Sequence, residues 1–521
     1  MEQKQSFLSS RLWRERILPG AAFFAILYEF TFFLVQPMLP KAIFQSFAAT
    51  RPAAFVCEGL LLLGVLLSRE KNRSFLLLNA CWLLITRCFL SDLGASAQIS
   101  IQLTILFVCF FHCFAFLGKK QRDLLYALIT LELTGLLTLW ALFGIVTAIT
   151  GRPTAYNGIS FSIETTEPLL VFISFFGIHR NLSATYYVCA AAMLLYHCGK
   201  TNAFRWKGLT FLFLPLAFCA IAIQHSRSNY LAFALLLGLI LVGSFTQLKR
   251  WPRGLAGNAA AICTLVLSVT VVFMSMGAVS DGMSALSQAK RETPPAETRA
   301  GGEPDAEIEA PAVFSGSGNT PGDSPATAEL SDSGNMPGDS PATAEFSGSG
   351  NTLVDSPALT GLSDTRNTIA DSLTLTGRTE IWMAGLLTIR ENPSIALTGQ
   401  PVESIMTRVN QILESITTRG DQIVDHPYTH MHNALMQQLM MSGVPGMVIN
   451  CLFILSLLKK IVLDVCYRRK KKGVMQPLAA LLLALLVYGM FEPLLYKGVA
   501  VSSLLFCLSA GLLDTELRDP S

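Results

Sequence analysis

Long apolar stretches separated by short polar ones dominate the chain. Twelve runs carry few charges: 17–36, 53–68, 74–91, 99–117, 123–148, 182–198, 208–224, 229–246, 255–277, 444–463, 475–492 and 496–513. At about 18 to 25 residues, such runs are long enough to cross a hydrocarbon core. With no water there to satisfy backbone groups, each must form a helix. A soluble stack of helices would need polar faces that these runs lack. The pattern therefore predicts an all-α polytopic membrane protein with about 12 transmembrane helices.

One long segment, 278–443, separates the ninth run from the tenth and divides the chain into four parts. These are a bundle of nine spans over 1–277, an acidic insert over 278–376, a helical loop over 377–443 and three further spans over 444–521. The insert contains a tandem repeat of period 16, with copies starting at Ser315, Ser331, Ser347 and Ser363. Residues 292–376 hold 14 Asp or Glu against two Arg, a composition that predicts disorder. A unit this short and polar cannot build a solenoid, so the insert reads as a spacer or stalk.

From Arg378 the character changes. Residues 379–391 place Trp382, Leu386 and Ile389 on one helical face, and Asn392-Pro393 ends that helix. A second short helix is predicted over 403–416, followed by DHPYTHMHN and a helix that runs into the tenth span.

Charge placement gives the orientation. The connections at 1–16, 69–73, 118–122, 199–207, 247–254, 459–473 and 514–521 carry 24 of the 39 Lys and Arg. The short alternate connections at 37–52, 92–98, 225–228 and 493–495 carry very few, which puts both termini in the cytoplasm and the long loop outside. The first run follows a basic start but lacks a small-residue cleavage site, and is expected to be retained. Only 14% of residues are charged, against roughly a quarter in soluble domains. None of the twelve cysteines falls between Asp281 and Ser442, which excludes a disulfide-stapled outer domain.

That topology gathers His179, His225, His426, His430 and His432 on the outer side with Arg152, Arg180, Arg227, Arg378, Arg390, Arg408 and Arg419. Arginine forks bind phosphate oxygens and keep their charge, and histidine exchanges a proton near neutral pH. The combination at a membrane surface suits a lipid-linked phosphate substrate. A metal site on His426-x3-His430-x-His432 is the alternative, but spacing fixes no acidic partner for it. No D-x-D pair and no Walker loop is present, so neither a metal-bound nucleotide sugar nor ATP is implied. Within the spans lie Glu29, Glu58, Arg87 and Glu132, which are costly at that depth; Glu58 and Arg87 are expected to pair.

The sequence His432-Asn433, nine further residues, then Gly443-Val-Pro-Gly446 resembles the signature of the O-antigen ligase and O-antigen polymerase superfamily. Two further elements are similar to that family in order and topology. One is Ser226-Arg-Ser-Asn-Tyr-Leu231; the other is Gly377-Arg-Thr-Glu-Ile-Trp382 with Asn392-Pro393 and Thr398-Gly399 downstream. The likeness runs from about Arg152 to the C-terminus.

The resemblance implies an inner-membrane glycosyltransferase of a bacterial cell. It would move a saccharide from a polyprenyl (undecaprenyl) diphosphate carrier to an acceptor hydroxyl on a glycan or lipid-glycan. It implies His432 as general base and Arg227, Arg378 and, more weakly, Arg180 as diphosphate ligands. Asn433, His430, Gly443 and Gly446 would support them. No cofactor, metal or nucleic acid is implied. Two rival readings differ in class: a flippase for lipid-linked saccharides, and a scaffold that recruits a partner through the acidic repeat. A flippase would be expected to show two related halves, which the chain lacks.

Overall fold

The computed structural model describes residues 13–36, 41–68, 75–90, 95–150, 154–156, 159–167, 170–175, 180–201, 203–224, 226–246, 255–292, 378–417, 428, 430–462, 472–492, 494 and 501–518. The chain divides into two units, Met1–Glu297 with Arg378–Ser521, and Thr298–Gly377. The second unit, on which the acidic repeat falls, lies outside the described residues.

Each of the twelve apolar runs falls on a helix. In chain order the helices are α1 (Leu18–Val35), α2 (Lys41–Ala48), α3 (Arg51–Leu67), α4 (Phe75–Leu90), α5 (Ala95–Phe116), α6 (Lys119–Thr150), α7 (Arg180–Thr201), α8 (Phe204–Ile223), α9 (Arg227–Thr246) and α10 (Leu255–Glu292). After the insert come α11 (Arg378–Glu391), α12 (Ser394–Thr398), α13 (Val402–Thr417), α14 (Ala434–Val462), α15 (Lys472–Gly489) and α16 (Val501–Arg518).

Among the described residues, seven segments are long and apolar enough to cross a membrane. They are Glu15–Val35, Gln45–Leu67, Lys119–Thr150, Phe204–Ile223, Arg227–Ser244, Ala256–Gly282 and Ala434–Val462. Shorter apolar helices cover Phe75–Thr86, Thr104–Phe116 and Gln476–Gly489. The protein is therefore a helical, multi-pass membrane protein.

Three features depart from the expected layout. Between α6 and α7 an antiparallel sheet of β1 (Thr154–Tyr156), β2 (Ile159–Glu167) and β3 (Leu170–Phe175) breaks the all-α reading. Its strands are rich in β-branched and aromatic residues, which suit a pleated surface. Helix α10 continues to Glu292, so the insert expected from 278 starts later; the stretch has no proline, and its Ala, Met, Leu, Gln, Lys and Arg favour helix in spite of Gly282. On α11 the buried face is Ile381, Ala384, Gly385 and Thr388, and Leu386, expected to be inward, is 48% exposed. The small pair Ala384-Gly385 wins this face because Met431 fills the space that a Cβ on residue 385 would need.

The bundle packs tightly where residues are small. Ala190, Ala191 and Ala192 of α7 are fully buried, and Gly511 of α16 lets its backbone meet that of Phe111 on α5. Arg51 forks onto the fully buried Glu29 (3.2 and 3.1 Å) beneath Phe32, Phe33 and Phe55, which neutralises one membrane carboxylate. Thr31 donates to Glu132 at 3.0 Å. The side chain of Arg87, expected to pair with Glu58, lies outside the described residues.

The two ends of the bundle differ. At one end Lys200 donates to Asp123 (2.6 Å) and Glu516 (3.1 Å), while Lys460 and Arg518 engage Asp514. At the other end lie the starts of α7, α9, α11 and α14 and the chain leaving α15. Helix α14 alone, at about 1.5 Å per residue, separates these ends by roughly 43 Å.

A kink divides α14 at Gly443, whose backbone is left-handed (φ 66°) inside the helix, two residues before Pro445. There α12 approaches backbone to backbone: a Cβ on Gly443 would run into Leu397 O, and one on Gly399 (φ 68°) into Met441 O. Gln400 N donates to Met440 O (3.0 Å), and the Trp82 indole donates to Ser442 O (2.8 Å). The carbonyls released by the kink are thus paired.

Gly443→Ala and Gly399→Ala should each cost at least about 1 to 3 kcal/mol from the left-handed backbone alone, before any steric clash. Gly277→Ala, at a helical site with nothing within 4 Å, should be neutral or stabilising. Thermal midpoints of the detergent-solubilised protein separate the three; equal midpoints would refute the assigned close approach.

Candidate functional site

The segment that connects α13 to α14 is irregular, so its backbone groups need side-chain partners. Asn410 of α13 supplies both of its amide atoms to Tyr428, accepting from its N–H (3.0 Å) and donating to its carbonyl (2.9 Å). Trp382 of α11 donates to Met431 O (2.7 Å), and Gln437 of α14 accepts from Met431 N (2.9 Å). Apolar packing of Ile381, Ile405, Val409, Ile412 and Met431 holds these pieces together.

Asn433 then caps α14, its Oδ1 accepting from Leu435 N (2.9 Å) and Met436 N (3.0 Å). Its Nδ2 donates to Met490 O (3.0 Å), so the cap also ties this segment to the chain leaving α15. Immediately before the cap, His432 takes a left-handed backbone (φ 49°), the only non-glycine to do so among the described residues. Such strain costs of order 1 to 3 kcal/mol and persists only where surrounding bonds impose it.

Glu492, two residues past Met490, is the centre of the site. It is 4% exposed. Its Oε1 accepts from Asn181 Nδ2 (2.6 Å) and lies 3.5 Å from both Arg378 Nη2 and His432 Nδ1; its Oε2 lies 3.4 Å from His430 Nε2. Burial pushes the Glu492 carboxyl up. Hydrogen bonding to and charge on His430 and His432 more than offset this and hold it well below the usual carboxylate range.

The imidazoles of His430 and His432 pack with centroids 3.9 Å apart, and Tyr428 meets His432 edge-on. Nδ1 of His432 is buried and the side chain is 16% exposed, so its accessible part lies on the ring's other atoms. His430, His432 and Glu492 offer three donor atoms within 4.8 Å, the spacing of a possible cation site. The Arg378 guanidinium on the same carboxylate opposes a cation there.

Behind Glu492 lies a polar network. Asn181 Oδ1 accepts from Ser226 (2.8 Å), and its carbonyl accepts from Asn229 Nδ2 (2.6 Å) and Thr185 (2.7 Å). Ser183 donates to Gln224 (2.5 Å). These bonds fix the turn that carries Arg227, the first residue of α9, which is exposed.

The structure thus brings together His432, His430, Asn433 and Arg378, with Arg227 one residue from a bonded member of the same network. Arg378 is engaged by Glu492 and rests over the Phe491 ring (5.7 Å). Gly443 and Gly446 act through the kink: Gly446 leaves room for Ser442 and Trp82. Arg180 opens α7 beside Asn181, but its side chain lies outside the described residues, as do His179, His225 and His426.

Sequence reasoning missed Glu492 and Asn181. A carboxylate at the outer end of an apolar run was a signal for the first. No signal marked the second.

Asn433→Ala should lower stability by about 1 to 2 kcal/mol through the lost cap and the lost bond to Met490 O, while Asn433→Asp should recover only the cap, because a carboxylate cannot donate to that carbonyl; thermal midpoints measure both. Glu492 has a depressed folded-state pKa, so its contribution is present above the ordinary carboxylate pKa of roughly 4.3 and is lost as pH falls through the folded value. The gap in thermal midpoint between the native protein and Glu492→Gln should therefore be full at pH 7 and shrink on acidification. A gap that grows in acid contradicts this electrostatic assignment.

Compared with known proteins, residues 210–451 match the family model described as O-antigen ligase. The matched segment includes Arg227, Arg378, His430, His432, Asn433, Gly443 and Gly446, and excludes Asn181 and Glu492. No curated protein gives a significant match.

Proposed function

We propose, from the premise that the chain belongs to the O-antigen ligase and polymerase superfamily, that it is a membrane glycosyltransferase acting on lipid-linked glycans. The donor is a saccharide on a polyprenyl diphosphate such as undecaprenyl diphosphate, and the acceptor is a hydroxyl of a glycan or lipid-glycan. The membrane is the bacterial inner membrane, with the site on its outer face and both termini in the cytoplasm. The observation that carries this reading is the convergence of His432, Arg378 and the Ser226-Arg227 turn around one buried carboxylate, at the end of the bundle opposite the Lys200 and Lys460 ion pairs.

The chemistry follows from the parts. The acceptor O–H gives its proton to His432 as the oxygen attacks the anomeric carbon. The bond from that carbon to the diphosphate oxygen breaks, and the configuration inverts because displacement is direct. Arg227 and Arg378, with Arg180 as a further candidate, offset the charge that develops on the leaving diphosphate. The proton then passes from His432 to water. The activated diphosphate supplies the leaving group, so the reaction requires neither nucleotide nor metal.

Support for His432 comes from its position: Nδ1 is turned to Glu492 and the ring is partly accessible. The acidic insert that follows α10 is read as a spacer, and deleting residues 293–376 should leave transfer intact; loss of function in that deletion favours a scaffold.

His432→Ala should reduce transfer by about 100- to 10,000-fold with the protein still in the membrane. Arg227→Ala and Arg378→Ala should weaken donor use, with lysine restoring only part, since lysine lacks the bidentate fork. Reconstituted protein supplied with labelled lipid-linked glycan and acceptor measures both, and transfer should persist in a strong chelator. Near-normal transfer by His432→Ala, or transport of the labelled lipid across the vesicle without any transfer, overturns the reading.

A further inference from the structure

Glu492 lies outside the family-matched segment, yet the Ser226-Arg227, Arg378 and His432 elements of that segment all lead to it. The Ser226-Arg227 turn reaches its Oε1 through Asn181, and Arg378 lies against the same oxygen. His432 presents Nδ1 to that oxygen, and His430 presents Nε2 to the other. We propose that Glu492 is the positioning residue of the transfer reaction, holding the His432 ring so that Nδ1 faces the carboxylate and Nε2 is left for the acceptor hydroxyl. This deepens the function proposed above and rests on it.

Three observations carry the assignment. The carboxylate is itself fixed, because Asn181 donates to it at 2.6 Å and is in turn held by Ser226, Asn229 and Thr185. The separation of His432 from Glu492 is set by one side chain, since Asn433 caps the helix that follows His432 and also bonds Met490. The His432 backbone is held in a left-handed conformation (φ 49°), and its Nδ1 has no other partner among the described residues.

The 3.5 Å separation is at the outer limit of hydrogen bonding, and such bonds commonly tighten only when the substrate binds. A carboxylate on one imidazole nitrogen selects the tautomer with the proton there, which leaves the other nitrogen free to accept. Glu492 takes no proton from the acceptor and touches no reacting atom.

The test uses the full chain in proteoliposomes with a polyprenyl-diphosphate-linked saccharide as donor. Glu492→Gln keeps the size of the side chain and an acceptor for Asn181. It should lower kcat by about 100-fold while changing the donor KM less than about threefold. Glu492→Asp, which keeps the charge but withdraws it by one methylene, should show the same kcat-selective loss, and it decides the matter if the Gln variant does not fold.

Combining Glu492→Gln with His432→Ala should give the same residual rate as His432→Ala alone, because the carboxylate acts only through that ring. A normal kcat in either Glu492 variant, or losses that multiply in the double variant, overturns the proposal and leaves the base assignment standing. Near-normal transfer by His432→Ala alone overturns both.

Discussion

An ionised carboxylate buried at the end of an apolar helix bundle is strongly destabilising unless it is surrounded by donors. Removing one partner of such a group typically costs about 3 to 5 kcal/mol. Glu492 meets this constraint with Asn181, Arg378, His430 and His432, which arrive from three separate stretches of the chain. Each of those stretches must therefore end near the same point. The bundle's order at that end follows from this demand as much as from helix packing.

The remaining architecture supplies rigid positions for those ends. Helix α14 is kinked by Gly443 so that its first part can carry Asn433 and meet α12, while its second part crosses the bundle. Helices α11 and α13 form a small apolar core of their own, against which Tyr428 and Met431 rest. The histidine segment has little regular structure, yet the polar backbone atoms of Tyr428 and Met431 are bonded by side chains of Asn410, Trp382 and Gln437. A loop tied at this many points can hold a strained residue such as His432.

The polar groups at this end are of two kinds: arginines, which keep their charge and can bind two oxygens at once, and the histidine pair with its carboxylate. The glutamate gathers Arg378, His430 and His432 around one carboxylate, while Arg227 stays exposed one residue from Ser226. At the far end of the bundle, Lys200, Lys460, Asp123, Asp514, Glu516 and Arg518 form a separate set of ion pairs. The protein therefore has two polar ends of different composition, joined by helices with apolar contact surfaces.

Much of this was legible in the sequence, and for a physical reason. Lipid imposes one rule on every residue of a span, so apolar run length alone located the helices, and Asn392-Pro393 marked the end of α11 because proline lacks an N–H. The spacing from His432-Asn433 to Gly443 and Gly446 was readable only as a resemblance to a family signature; that Asn433 is a cap and Gly443 a kink came from the structure. What only the tertiary structure decided was non-local. The sheet at residues 154–175, the inward turn of Gly385 instead of Leu386, and the pairing of Arg51 with Glu29 depend on neighbours distant in the chain. The same holds for Glu492 and Asn181: 311 residues separate them, and no periodicity or motif encodes a bond made by two chain segments brought to one point.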